Sequence, residues 1–284
     1  MTEEVEQIEN NPQFAVWSPD GQNLAYIANE TLYVKKVGEN EESIDIFAKV
    51  GLNEFYLAWS PDSKQIAVIS TTIDEDSGGD APLITDTLWV ITVEDKLQQE
   101  LGTFSIAPME HHREELQWSP DGIAILVGMT IPNYIFSLTG QQIILEEGMR
   151  AWIWIPHQSN LLVQQSANLS IINPVNHETV INIANLERPL MAWAFSANGR
   201  YLAYPNQREI HIFDLELQKE HATVIVPFIP VASLHWIPGD HDVLVIDDGD
   251  WNTPIWAVDL NDQVEVLVEQ GLLINFIPSL ENED

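Results

Sequence analysis

The tetrapeptide Trp-Ser-Pro-Asp stands three times in the chain, at Trp17 to Asp20, Trp59 to Asp62 and Trp118 to Asp121. Looser copies follow at Trp154-Ile155-Pro156, Phe195-Ser196-Ala197-Asn198-Gly199 and Trp236-Ile237-Pro238-Gly239, with a last echo at Phe276-Ile277-Pro278-Ser279. The aromatic positions 17, 59, 118, 154, 195, 236 and 276 are spaced by 42, 59, 36, 41, 41 and 40 residues. A period of about 40 residues marks a repeat architecture, in which each supersecondary unit buries its apolar surface against its neighbours. This single regularity decides the fold class before any strand is placed.

Each unit reads the same way. A short apolar segment ends in the aromatic, a turn follows, and a run such as NLAYIA (23–28) or QIAVIS (65–70) comes next. The runs are of strand length, not helix length. In Ser18-Pro19-Asp20-Gly21, proline presets φ at the second turn position, Asp suits the third and Gly tolerates the fourth. Ser119-Pro120-Asp121-Gly122 repeats the turn, whereas Ser60-Pro61-Asp62-Ser63 lacks the glycine. Third strands are predicted at Thr31-Leu32-Tyr33-Val34, Thr87-Leu88-Trp89-Val90, Tyr134-Ile135-Phe136, Leu169-Ser170-Ile171, Ile210-His211-Ile212-Phe213 and Ile255-Trp256-Ala257-Val258. Their nearly continuous apolar character implies burial on both faces. Fourth strands are predicted near 43–49, 97–104, 141–146, 177–183, 220–226 and 263–268.

The expected fold is therefore all-β: a six-bladed β-propeller of four-stranded antiparallel blades. Its blades would span about 13–50, 51–104, 105–147, 148–184, 185–227 and 228–270. Residues 1–12 form an acidic segment, read as a candidate closing strand. Residues 271–284 hold an extra inner-type strand and an acidic tail. The extra strand reads as a closure tying the two ends of the propeller, with a vestige of a lost blade as the alternative.

Repeats of the form W-S-P-D-G-x-x-I/L-A followed by an I/L-Y/W-V strand resemble those of the TolB-type, WD-repeat-like β-propellers. They are also similar to the propeller domains of dipeptidyl-peptidase-like proteins. The resemblance covers roughly 13–280 and is strongest in the first three copies. It implies a six-bladed ring, commonly used to bind another protein. The peptidase activity of the second group belongs to an α/β-hydrolase domain, for which no G-x-S-x-G elbow is present in this sequence.

Charge narrows the partners. The chain carries 44 acidic and 11 basic residues, a formal charge of −33. Nucleic acids and anionic membrane surfaces would be repelled. The plain reading is a solvated acidic surface that keeps the protein soluble, and a halophilic source is a further explanation. The sharper reading is a basic protein partner or bound cations. With no cysteine there is no disulfide, thiolate nucleophile or zinc–thiolate site. MTEEVEQIEN lacks the basic and apolar regions of a secretory leader, so a cytoplasmic location is expected. The apolar stretch 224–238 is too short and proline-rich to span a membrane.

Three insertions interrupt the repeat. Residues 71–86, TTIDEDSGGDAPLITD, read as the long second-to-third loop of blade two. Residues 104–113, FSIAPMEHHR, link blades two and three. Residues 247–254, DDGDWNTP, form the second-to-third loop of blade six. All three belong on one propeller face, and insertions on one face of a repeat array mark the binding side. The candidate partner-binding residues are Asp74, Glu75, Asp76, Asp80, His111, His112, Asp248, Asp250 and Trp251. Asp74, Asp76, Asp80 and Asp86 resemble a calcium loop, but Gly78 and Thr85 occupy its fifth and twelfth positions, so the bidentate carboxylate is missing. His111 and His112 are adjacent, and on an extended chain they point apart. No metal site, cofactor or catalytic residue is assigned. His211 and His235 read as core histidines. Trp17, Trp59, Trp118, Trp154 and Trp236 read as inter-blade packing, and Trp152 and Trp193 as core.

The function expected is thus a non-enzymatic, protein- or peptide-binding scaffold. One alternative is a metal-assisted hydrolase or lyase of the six-bladed class. Against it, Gln13, Glu54, Glu115, Arg150, Arg188 and Ser233 near the inner-strand starts make a poor cation cage. Another is a structural subunit or homo-oligomer assembled through the C-terminal strand.

Overall fold

A computed structural model describes residues 15–36, 38, 44–49, 51–74, 83–104, 116–128, 133–146, 148–190, 192–225, 233–237, 243–247, 254–259 and 263–268. The described residues form strands and turns only. Among them no helix is long and apolar enough to cross a membrane.

Among the described residues, twenty-four strands fall into four-stranded sheets. The first holds β1 (Ala15–Trp17), β2 (Asn23–Ala28), β3 (Thr31–Lys36) and β4 (Ile44–Ala48). The second holds β5 (Leu52–Trp59), β6 (Gln65–Asp74), β7 (Leu83–Thr92) and β8 (Gln98–Phe104). The third holds β9 (Leu116–Trp118), β10 (Ala124–Val127), β11 (Tyr134–Ser137) and β12 (Gln142–Ile144). The fourth holds β13 (Met149–Trp154), β14 (Leu161–Gln165), β15 (Asn168–Ile172) and β16 (Thr179–Asn185). The fifth holds β17 (Ala194–Phe195), β18 (Tyr201–Asn206), β19 (Glu209–Asp214) and β20 (Lys219–Ile225). The sixth holds β21 (Ser233–Trp236), β22 (Val243–Asp247), β23 (Ile255–Asp259) and β24 (Gln263–Val268). Each sheet is a meander in chain order, as short hairpin connections require. The predicted fourth strands match β4, β8, β12, β16, β20 and β24 to within about two residues.

The chain divides into two compact units, residues 1–154 with 174–177, and residues 155–173 with 178–284. In the first unit, Ala25, Ile27, Leu32, Val34 and Phe47 of the first sheet pack with Leu57, Trp59, Ile66, Val68 and Ile91 of the second. Ala67, Ile69, Leu88 and Val90 from the second sheet meet Trp118, Ile125, Val127, Tyr134 and Phe136 of the third. In the second unit, Tyr201, Ala203, Ile210 and Ile212 pack with Leu234, Trp236, Leu244 and Ile246. The central strands are therefore buried on both faces, as their unbroken apolar runs predict. Each such Leu, Ile or Val contributes about 1.5–3 kcal/mol of transfer free energy.

The repeated aromatic does more than fill space. The indole Nε1–H of Trp59 donates to the Val16 carbonyl at 3.0 Å, that of Trp118 to Ala58 at 3.0 Å and that of Trp154 to Gln117 at 3.1 Å. In the second unit Trp236 donates to Ala194 at 3.1 Å. In every case the acceptor immediately precedes the aromatic of the preceding repeat. These four tryptophans are 4–8% exposed. Trp17 differs: it was expected in an inter-blade core and is 54% exposed. It opens the series, and residues 1–14 before it lie outside the described structure. Phe195, at the same repeat position, has no N–H to give.

The Ser-Pro-Asp turn is a closed hydrogen-bond box. Ser119 Oγ donates to Asp121 Oδ1 at 2.6 Å and accepts the Ala124 amide at 3.0 Å. Asp121 Oδ1 also accepts the Ile123 amide, and the Gly122 amide closes on the Ser119 carbonyl. Ser18/Asp20, Ser60/Asp62 and Ser196/Asn198 build the same box. This is why Ser18, Ser60, Ser119 and Ser196 are all buried. Gly21, Gly122 and Gly199 close the turn at φ near +70°. Ser63 takes that position at φ +59° in the copy without glycine. Such a conformation costs a side-chain-bearing residue about 1 kcal/mol. Its hydroxyl there accepts the Asp20 amide at 3.1 Å, tying two repeats together.

Candidate docking face

The sequence places a loop at 71–86, and the structure corrects it. β6 continues through Asp74 and β7 begins at Leu83, paired from Gln65↔Thr92 to Asp74↔Leu83. The β-branched pattern of Thr71, Thr72, Ile73, Ile84 and Thr85 favours this extension. Only 75–82 is left between the two strands, and it lies outside the described residues. The ribbon outgrows its sheet. The β5 ladder reaches Leu52↔Ser70 and the β8 ladder reaches Asp86↔Phe104. Among the described residues, Thr72–Asp74 and Leu83–Thr85 therefore pair only with each other.

The base of the ribbon is anchored. The Thr71 amide donates to the Gly51 carbonyl at 2.8 Å, and the Gly51 amide donates to Glu30 Oε1 at 2.9 Å. Gly51 has φ +74°, and a Cβ there would lie 2.0 Å from the Thr71 carbonyl oxygen. On one face of the ribbon, Trp89 Nε1 donates to the fully buried Ser70 hydroxyl at 3.0 Å. Lys49 Nζ stands 4.2 Å from the Trp89 ring centroid, a cation–π distance.

Side chains alternate along a strand, so the cross-strand pairs Ile69↔Leu88, Thr71↔Asp86 and Ile73↔Ile84 share the other face. The first pair is buried in the core with the third sheet. The last is at the surface, with Ile73 61% exposed. Between them sits Asp86, 4% exposed, whose Oδ1 accepts the Thr71 hydroxyl at 2.6 Å. Burial pushes the Asp86 carboxyl above the ordinary carboxylate range, against the weaker opposite pull of Thr71. Residues 65–92 contain Asp74, Glu75, Asp76, Asp80 and Asp86, and no Lys, Arg or His.

Of the nine residues assigned from sequence, the described structure includes Asp74, an exposed residue at the end of β6. Glu75, Asp76, Asp80, His111, His112, Asp248, Asp250 and Trp251 lie outside the described residues. Asp86, considered only as part of a calcium-like loop, proves to be a buried strand residue beside Thr71. Sequence reading passed over Thr71, Ile73 and Ile84. The alternation flanking EDSGGDAP was the signal that could have found them.

At the opposite ends of the second and third sheets the turn carboxylates are already bonded. A cleft of 290 Å³ is lined by Pro61, Asp62, Gln65, Pro120, Asp121 and Gly122. Its carboxylates are already held by Ser60 and Ser119. The Ser18 hydroxyl keeps the Asp20 carboxyl below its usual range, and the Ser60 hydroxyl does so for Asp62. Among the described residues no group of three His, Asp or Glu is placed to hold a metal.

The His211 side chain is 15% exposed and has polar partners. Its Nδ1 lies 2.8 Å from Glu220 Oε2 and its Nε2 3.6 Å from Glu209 Oε2, and it stacks on Tyr204 at 5.4 Å. Hydrogen bonds from Thr223, then from His211, lower the Glu220 carboxyl. Nearby, Arg200 forks onto the fully buried Asp214 through Nη2 at 2.8 Å and Nε at 3.1 Å. Both clusters satisfy themselves.

The architecture and this face define an all-β, propeller-like protein. A family model described as the dipeptidyl peptidase IV N-terminal region matches residues 1–47. No curated protein matches the chain significantly. Among solved structures, one described as a crystal structure of the eukaryotic initiation factor is 17% identical with a TM-score of 0.68. The match covers 94% of this chain and 68% of that one. A chain of a mitotic checkpoint complex is 13% identical with a TM-score of 0.55, covering 93% of this chain and 83% of that one. At these identities the likeness is one of fold.

Proposed function

We propose that this chain is a six-bladed, TolB-type propeller scaffold that docks a basic protein or peptide. The docking face is the one carrying the three inserted segments. One observation carries the reading: among the described residues the β6–β7 ribbon outgrows its sheet by three residues on each strand, and residues 65–92 hold five Asp or Glu and no Lys, Arg or His. A ribbon that leaves the core loses tertiary support, since an isolated two-stranded hairpin is marginal in water. Its extension is thus a stability cost that partner binding offsets. The net charge of −33 adds steering of a cationic partner, and that steering weakens as salt screens it. The six four-stranded sheets support the blade count.

The test is affinity capture with the tagged chain at about 50 mM and about 500 mM salt. A second chain has 75–82, 105–113 and 248–253 replaced by short turns. The full chain should retain a basic protein in low salt and lose most of it in high salt, and the trimmed chain should not retain it. Equal retention by the trimmed chain places docking elsewhere.

A further inference from the structure

The Thr71–Asp86 pair lies on the same ribbon face as Ile73 and Ile84, one cross-strand pair nearer the core. A buried carboxylate is costly unless it is well paired. Among the described residues, one neutral hydroxyl is its side-chain partner. Thr71 cannot neutralise it, and no cation is supplied by residues 65–92. Just outward stands an apolar pair whose Ile73 is 61% exposed. Carboxylate below and aliphatic surface above form a two-part recognition pattern.

We propose that Asp86, Thr71, Ile73 and Ile84 form a specificity site for an extended partner segment in which a Lys or Arg alternates with an aliphatic residue. The cationic head of the partner's side chain meets the Asp86 carboxylate, and its aliphatic neighbour covers Ile73 and Ile84. An extended chain suits this spacing, because its alternate side chains share one face as those of β6 do. A charge-assisted hydrogen bond at a desolvated carboxylate is stronger than one in water. The proposal rests on the docking reading above and narrows it to one site and one chemistry.

The probe is a dye-labelled decapeptide of alternating valine and lysine, titrated by fluorescence anisotropy at about 150 mM salt. A valine–glutamine decapeptide serves as the uncharged control. Asp86→Asn and Ile73→Ser are compared with Glu94→Gln, which removes one charge from an exposed turn. The expected result is binding of the lysine peptide alone. Asp86→Asn and Ile73→Ser should each weaken it by about 10-fold, and Glu94→Gln by less than about 2-fold. Urea midpoints for the variants establish that each is folded.

No binding to the parent chain overturns the site, as does an Asp86→Asn loss no larger than that of Glu94→Gln. Suppose peptide affinity ignores Asp86 while trimming the three segments still abolishes capture. Docking then stands and the Asp86 site falls. If capture survives trimming, the docking reading itself falls.

Discussion

Trp118 reaches across to the neighbouring sheet and donates its indole N–H to the backbone carbonyl of Ala58 at 3.0 Å. Ala58 is the residue just before Trp59, which makes the same bond to Val16. The repeat thus couples inner strands at four places through one indole hydrogen bond as well as through apolar contact. Trp118→Phe removes the donor and part of the ring, leaving a carbonyl unsatisfied and a small void. A loss of about 2–3 kcal/mol is expected in urea unfolding. Trp17→Phe, at the exposed first copy, should cost less than about 0.5 kcal/mol. Equal losses at the two positions would contradict the assignment.

The serine of the turn is a second structural hub. Ser119→Ala deletes the donor to Asp121 and the acceptor for the Ala124 amide. A cost of about 1–2 kcal/mol should appear in thermal or urea unfolding, and Ser119→Thr should recover part of it. Ala behaving as well as Ser would mean the box is ornamental.

Gly51 is fixed by geometry. Its φ of +74° and the 2.0 Å approach of a would-be Cβ to the Thr71 carbonyl leave no room for a side chain. Gly51→Ala should destabilise by about 2–4 kcal/mol, and it should first disturb the base of the ribbon. Hydrogen exchange at the Thr71 amide, bonded to Gly51, reports this directly.

Asp86 and the turn aspartates respond to pH with opposite signs. Asp20 and Asp62 have lowered carboxyl pKa values when folded, so their contribution is present above the unfolded pKa and lost as pH falls through the folded one. Asp86 is raised when folded, so its contribution is full below the unfolded pKa and is lost as pH rises through the folded one. Asp86→Asn should therefore be neutral or stabilising by about 0.5–1 kcal/mol at pH 7, and the gain should vanish in acid. A destabilisation that is largest at neutral pH would contradict a costly buried carboxylate.

The scaffold was legible because its signals are local and periodic. Trp-Ser-Pro-Asp marks the inner strand and its turn, and the β-branched runs at 31–34 or 210–213 place the third strands. Ser119 was less legible, since a serine in a turn looks like solvent-facing filler until its amide partners are known. The ribbon was misread for a related reason. Asp74 and Asp86 are poor strand formers, and with Gly78 and Gly79 between them they draw the eye to a loop. Pairing with a neighbouring strand outweighed that preference at Asp74↔Leu83 and Thr71↔Asp86. Asp86 is buried between strands whose pairing partners, Thr71 and Phe104, lie 15 and 18 residues away, which no local window contains.

The most direct measurement of the central claim is hydrogen–deuterium exchange of the chain with and without the basic protein it captures. Binding at the ribbon should slow exchange of the amides in 71–74 and 83–86. The turn amides of 20–23, 62–65 and 121–124 should exchange as before. Protection confined to those turns, with the ribbon unchanged, would contradict docking on this face.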